Sequence, residues 1–299
     1  MKKVEIKGII PPIVTPMFED ETINTEELRR QVDRQIENGV HGIFCFGTNG
    51  EGYILNGREK ELVLRTVVDQ AAGRVPVYAG TGCISTKETI EQSKMAQAAG
   101  ADVLSIITPS FGKASQEELY IHYESIAKEV DLPIVLYNIP PRTTNALEPE
   151  TVAALAEIDN IVGAKDSSGN FDNLKAYIDL TRGKDFSVLA GNDGLILRAL
   201  KAGGTGGIAG RANVYPFTMA SIYNCFAAGD LEGAQRYQDS VESFGNVLKF
   251  GNPNTIIKIA ANLLGNPVGP CRAPFNRLSE EGMAALKKVL EENKAKGMR

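Results

Sequence analysis

The sequence is poor in the residues that most often carry metal or nucleophile chemistry: of its 299 residues only two are histidine and four are cysteine. Neither His41 nor His122 stands in a metal-ligand spacing, so zinc hydrolysis and histidine-based triads lose their usual side chains. Cys45, Cys83, Cys225 and Cys271 are far apart, without C-x-x-C spacing, and read as reduced thiols. No dense run of lysine or arginine occurs, and the net charge is -5, which argues against nucleic acid as a partner and for a small molecule. Apolar runs are strand-sized rather than membrane-sized. The apolar stretch near the N-terminus is broken by Pro11, Pro12 and Pro16, unlike a signal peptide. The expected compartment is the cytoplasm.

What the chain does have is rhythm. Short β-rich runs recur at intervals of about thirty residues, each followed by helical apolar spacing, the pattern of parallel strands joined by crossover helices. Eight runs qualify: residues 8–10, 42–46, 75–79, 103–107, 134–137, 161–164, 187–190 and 206–209. This predicts an α/β fold, a (β/α)8 TIM barrel over residues 1–225. Asn24 opens one wall helix that Gly39 stops, and Ser115 with Glu118 forms a capping box before another. Beyond the eighth run, segments 217–229, 231–250, 254–264 and 279–296 read as helices without strands between them. They predict a C-terminal helical extension, residues 226–299, packed on the outer ring or on a neighbouring subunit.

In such barrels chemistry is done at the C-terminal ends of strands. Four ends stand out: Gly47-Thr48-Asn49-Gly50-Glu51-Gly52, Tyr137 to Thr143, Lys165 to Gly169, and Gly191-Asn192-Asp193. Lys165 follows an apolar strand, where desolvation lowers a lysine pKa and frees a nucleophilic amine. An arbitrary lysine at a strand end more often just reaches solvent, so its company decides. Tyr137, on the preceding strand, is a phenol able to shuttle protons, or an ordinary wall tyrosine. The loop from Gly47 to Glu51 offers closely spaced N–H groups suited to a carboxylate, or is a plain turn. Arg142 is either a bidentate carboxylate clamp or a surface arginine. The glycines from 203 to 207 lack phosphate-loop spacing and precede their strand, so they read as a tight turn. Glu51 reads as a cap or dipole partner of the following helix.

Together, Gly47-Thr48-Asn49-Gly50-Glu51, Tyr137-Asn138-Ile139-Pro140 and Lys165 resemble the dihydrodipicolinate synthase and N-acetylneuraminate lyase superfamily, over nearly the whole chain. The resemblance implies that Lys165 forms an iminium with pyruvate, that Tyr137 relays protons, that the amides of Thr48 and Asn49 hold the carboxylate, and that Ile208 lends its backbone nearby. It implies no metal and no cofactor beyond the lysine imine, an aldehyde as second substrate, and a homotetramer. Synthases of this family carry a second threonine where this chain has Asn49, and an interface tyrosine where it has Phe111; a phenyl ring cannot pass a proton. Arg142 matches the arginine with which synthases hold the aldehyde's carboxylate. Asn49, the segment from Lys165 to Gly169 and the stretch from Gly269 to Pro274 are similar to 4-hydroxy-2-oxoglutarate aldolases, with Ser167, Asn192 and Asp193 suited to a hydroxylated substrate. The expected activity is therefore cleavage or formation of a hydroxy-2-oxo acid. The alternatives are dihydrodipicolinate synthesis from pyruvate and aspartate semialdehyde, dehydration through the same iminium, a silent 2-oxo-acid-binding barrel, and a phosphate-binding barrel isomerase. Gly57, Lys60 and Ile84 replace polar or histidine residues of the lysine feedback site of many synthases, which implies that L-lysine does not inhibit.

Overall fold

Each apolar run becomes a strand of a single sheet in the structure, a computed structural model that describes residues 4–299. The strands are β1 Gly8–Ile10, β2 Ile43–Cys45, β3 Val77–Gly80, β4 Val103–Ile107, β5 Ile134–Asn138, β6 Ile161–Asp166, β7 Ser187–Ala190 and β8 Gly206–Ile208. Neighbours pair in parallel in the order β1-β8-β7-β6-β5-β4-β3-β2. The β1/β2 seam is joined by backbone bonds from His41 N–H to the Ile9 carbonyl (2.8 Å), Phe44 N–H to Pro11 (2.9 Å) and Ile13 N–H to Phe44 (3.0 Å). Pro11 and Pro12 can accept but not donate there, which cuts the ladder short.

Period-two alternation sorts the strand residues. Ile10, Phe44, Tyr78, Val103, Val135, Leu189 and Ile208 form the cluster that fills the barrel interior. Their chain neighbours, such as Ile9, Ile43, Cys45, Leu104, Ile134 and Leu136, pack outward against the helices. The wall helices begin as the sequence predicts. Asn24 accepts the Glu27 N–H at 3.0 Å ahead of the helix Thr25–Glu37, and Ser115 and Glu118 close their capping box ahead of Gln116–Ala127. Within the glycine run, Gly203 ends a helix and Gly206 faces β1, where a Cβ would stand 2.1 Å from the Gly8 carbonyl oxygen. That run lies at the N-terminal end of β8, away from the catalytic mouth, so the phosphate-isomerase alternative loses its only support.

Two expectations need correction. The helix predicted over 231–250 is broken into Leu231–Ser240, Glu242–Gly245 and a 3-10 turn Leu248–Phe250. The break falls at Val241, whose carbonyl also accepts from Arg211 Nη1 at 2.7 Å. The extension also does more than line the outer ring. Its helix Pro253–Leu263 reaches the strand ends of the barrel, and Val14, Val214 and Tyr215 share one apolar cluster with Phe244, Ile256, Ala260, Leu286 and Leu290. Among the described residues, no helix is long and apolar enough to cross a membrane.

Candidate active site

Strand β6 runs two residues beyond its predicted end because its ladders with β5 and β7 continue, and this places Lys165 within the sheet. Tyr137 of β5 and Lys165 of β6 are register partners. In a parallel pair such partners face the same side, here the barrel interior, since Val135 two residues earlier is an interior residue. Lys165 is 4% exposed, and its Nζ lies 3.6 Å from the centroid of the Tyr137 ring and 5.6 Å from that of Phe44. The amine thus points along the barrel axis among aromatic rings. Burial alone would raise the Tyr137 pKa, but the Lys165 charge and the Thr48 hydroxyl, 3.2 Å from the phenol oxygen, outweigh it and hold the phenol below the ordinary tyrosine range.

The turn after β2 is a short 3-10 segment, Thr48–Gly50, in which Gly50, Glu51 and Gly52 direct their N–H groups back to Gly47 or Thr48. The N–H groups of Thr48 and Asn49 come before any acceptor the turn can offer. Glu51 is not the helix cap the sequence suggested. The following helix, Gly57–Ala71, is capped by Asn56, while Glu51 takes φ +58° and is fully buried. Its carboxylate accepts from Lys258 Nζ at 2.8 Å and from the Arg272 N–H at 2.9 Å. Lys258 completes its shell with the Thr15 and Pro270 carbonyls at 2.8 and 2.5 Å.

Beyond Lys165 the side chains alternate in task. Asp166 points outward, where it accepts from Asn138 and Ser168 (both 2.7 Å) and Asn173 (3.1 Å), while burial pushes its carboxyl above the usual range. Ser167 turns inward. Its hydroxyl is buried and faces the Tyr137 phenol without completing a hydrogen bond to any described residue. Gly191 at the end of β7 makes room for both groups, because a Cβ there would lie 1.9 Å from Ser167 Oγ and 2.8 Å from Lys165 Cε.

One cleft of about 230 Å³ is lined by all ten residues that the sequence offered as catalytic or substrate-binding: Thr48, Asn49, Tyr137, Arg142, Lys165, Ser167, Gly191, Asn192, Asp193 and Ile208. Arg142 and Asn192 are exposed at its rim. Asp193 is already engaged, accepting from the N–H groups of Gly210 (3.1 Å) and Arg211 (2.9 Å) and so fixing the turn after β8. A second lobe of about 320 Å³ opens on the other side of Thr48, Tyr137 and Arg142, walled by Phe44, Phe46, Tyr53 and Phe275. The sequence reading missed the contribution of the extension: Leu248, Pro253 and Ile257 wall the cleft, and Asn254 and Lys258 grip the loop after β2. The available signal was Asn254 and Lys258 spaced i, i+4 in a mostly apolar helix. No three His, Cys, Asp or Glu side chains converge as metal ligands among the described residues.

A primary amine buried against a phenol at the open end of a parallel barrel, with unengaged amides beside it, defines a class: barrel enzymes that capture a carbonyl substrate as an imine. A sequence model of the dihydrodipicolinate synthetase family matches residues 5–293. The 4-hydroxy-tetrahydrodipicolinate synthase of Methanopyrus kandleri is 41% identical over 290 residues, 96% of either chain. Among solved structures, the chloride-inhibited dihydrodipicolinate synthase of Acinetobacter baumannii with pyruvate superposes at a TM-score of 0.94 with 35% identity, covering 97% of this chain and 99% of that one. A prophage protein of the same family from E. coli K12, also with pyruvate, gives 0.93 with 33% identity, covering 97% and 99%. The chain belongs to the dihydrodipicolinate synthetase family, and it is a pyruvate-dependent lyase of the class I aldolase kind.

Proposed function

We propose that Lys165 condenses with C2 of pyruvate and that the resulting enamine adds to aspartate semialdehyde, the reaction of a 4-hydroxy-tetrahydrodipicolinate synthase. Lys165 first gives up its ammonium proton to solvent; its nitrogen lone pair then attacks C2, the carbonyl oxygen leaves as water after two proton transfers, and loss of a C3 proton gives the enamine. Its C3 then bonds the aldehyde carbon, whose oxygen takes up a proton, and the amino group of the former semialdehyde attacks C2, closing the ring and expelling Lys165 as the free amine. Tyr137 carries the protons, the amides of Thr48 and Asn49 hold the pyruvate carboxylate beside Ile208, and Arg142 at the rim meets the carboxylate of the aldehyde. The protonated imine is itself the electron sink, so the route calls on no further cofactor. The observation that carries this reading is the register pairing of Tyr137 with Lys165, which sets a buried amine 3.6 Å from a phenol ring.

For the second substrate, the names of the relatives favour the synthase over the hydroxy-2-oxo acid aldolase expected from the sequence. The aldolase stays as a second reading on one specific observation: the inward Ser167 hydroxyl has no partner and would suit a substrate hydroxyl. Phe111, 95% exposed at φ +74°, supports assembly with further copies, and a homotetramer is our reading of the assembly. A coupled assay supplying pyruvate with aspartate semialdehyde, run beside one supplying 4-hydroxy-2-oxoglutarate or 2-keto-3-deoxy sugar acids, separates the two. Faster turnover of aspartate semialdehyde is expected; turnover confined to the hydroxy-2-oxo acids would transfer the assignment to the aldolase.

A further inference from the structure

Asn254 sits in the first turn of the helix Pro253–Leu263, in the extension, yet it is bonded to the loop after β2 that lines the cleft. It is fully buried. Its Nδ2 donates to the Thr48 carbonyl at 2.6 Å and to the Tyr53 hydroxyl at 3.2 Å. Within its own turn that carbonyl has only the Glu51 N–H, at 3.2 Å. Asn254 therefore makes the shorter of the two bonds, and the one anchored outside the turn. Asn252 holds it in place by accepting the Asn254 N–H at 3.2 Å. One helical turn along, Lys258 grips Glu51, so one helix face holds the loop at two points.

The grip on Thr48 has a direct consequence for the amide that follows. The carbonyl of Thr48 and the N–H of Asn49 belong to one planar trans peptide and point in opposite directions. A donor fixed on the carbonyl side therefore aims the Asn49 N–H the other way, into the cleft that Asn49 lines. The remaining half of the Asn254 amide, Oδ1, is buried and meets no donor among the described residues. Leaving that oxygen unpaired is a cost that an apolar residue of the same size would avoid.

We infer that Asn254 is a positioning residue for the carboxylate of the 2-oxo acid, acting through the Thr48–Asn49 peptide. The inference rests on the reading of the cleft as a 2-oxo acid site. Its test compares trapping by borohydride of pyruvate and of acetone, a ketone without a carboxylate, in wild type, Asn254→Leu and Asn254→Ala. In a variant that melts cooperatively, half-saturation by pyruvate should rise about tenfold, the scale of leaving one buried acceptor without its donor, with trapping at saturating pyruvate nearly unchanged. Trapping of acetone should be unaltered. Equal weakening for both ketones, no change for either, or failure of both variants to fold would overturn the inference and leave Asn254 a structural residue. If wild type traps acetone but no pyruvate, or traps neither, the reading of the cleft itself falls and takes this inference with it.

Discussion

Replacing Tyr137 by phenylalanine removes one oxygen and leaves a ring that is 4% exposed and packed 3.6 Å from Lys165 Nζ. The change is close to isosteric. The Tyr137 phenol oxygen lies 3.2 Å from Thr48 Oγ1, so the loss in stability should be about 1 kcal/mol, the scale of a single neutral hydrogen bond. The loss in rate should be far larger, because a positioned proton carrier contributes roughly 10²–10⁴-fold. We expect kcat to fall by about 10³, or about 4 kcal/mol of barrier, while pyruvate is still captured, more slowly, by Lys165. The pH profile supplies a second readout. A phenol that must donate a proton works below its pKa and fails as pH rises through it. Because the Lys165 charge and the Thr48 hydroxyl hold this pKa below the ordinary range, the alkaline fall in kcat/KM should begin at lower pH than the usual tyrosine value of about 10. Tyr137→Phe should lack that fall. A variant that kept more than about a tenth of wild-type kcat, well outside the range for lost acid–base catalysis, or that showed the same alkaline limb, would refute the relay.

Gly191→Ala should slow imine trapping about a hundredfold, the scale of displacing a reacting group by an ångström, because its Cβ would stand 2.8 Å from Lys165 Cε; an unchanged trapping rate would show that the amine needs no such clearance. Lys258→Met strands the Glu51 carboxylate in a fully buried site and should cost roughly 3–5 kcal/mol. At about 2–4 °C per kcal/mol in a large domain, the melting midpoint should drop by roughly 10 °C. Adding Glu51→Gln should restore part of this, and a midpoint equal to wild type in the single variant would contradict the pairing. L-lysine should leave the rate unchanged in a titration, on the reading by resemblance that Gly57, Lys60 and Ile84, the last largely exposed, replace the feedback residues of many synthases; strong inhibition would count directly against that reading.

Strand order and the placing of Tyr137 beside Lys165 were legible in the sequence because both depend on local pattern. Period-two alternation placed Val135 and Tyr137 on one face, and eight evenly spaced runs implied a barrel whose chemistry lies at one end. The role of the extension was not legible. Thr48 meets Asn254, and Glu51 meets Lys258, across more than two hundred residues, and such contacts leave no periodic trace. The broken helix after Leu231 was hidden for a similar reason: Val241, at its interruption, is met by Arg211, a residue of the turn after β8. Glu51 was read as structural, and its partner is a buried ammonium and not a helix dipole. The second substrate was the hardest to read because the side chains at the rim, Arg142 and Asn192, are exposed and few, and close relatives point to the synthase where Asn49 and Phe111 suggested an aldolase.

The most direct test of the account is to incubate the protein with pyruvate and borohydride, digest it, and map the reduced adduct by mass spectrometry. The adduct should be recovered on the peptide containing Lys165 and be absent from Lys165→Ala. Its recovery on any other lysine, or equal labelling of the Lys165→Ala protein, would contradict the assignment of the buried amine beside Tyr137 as the nucleophile.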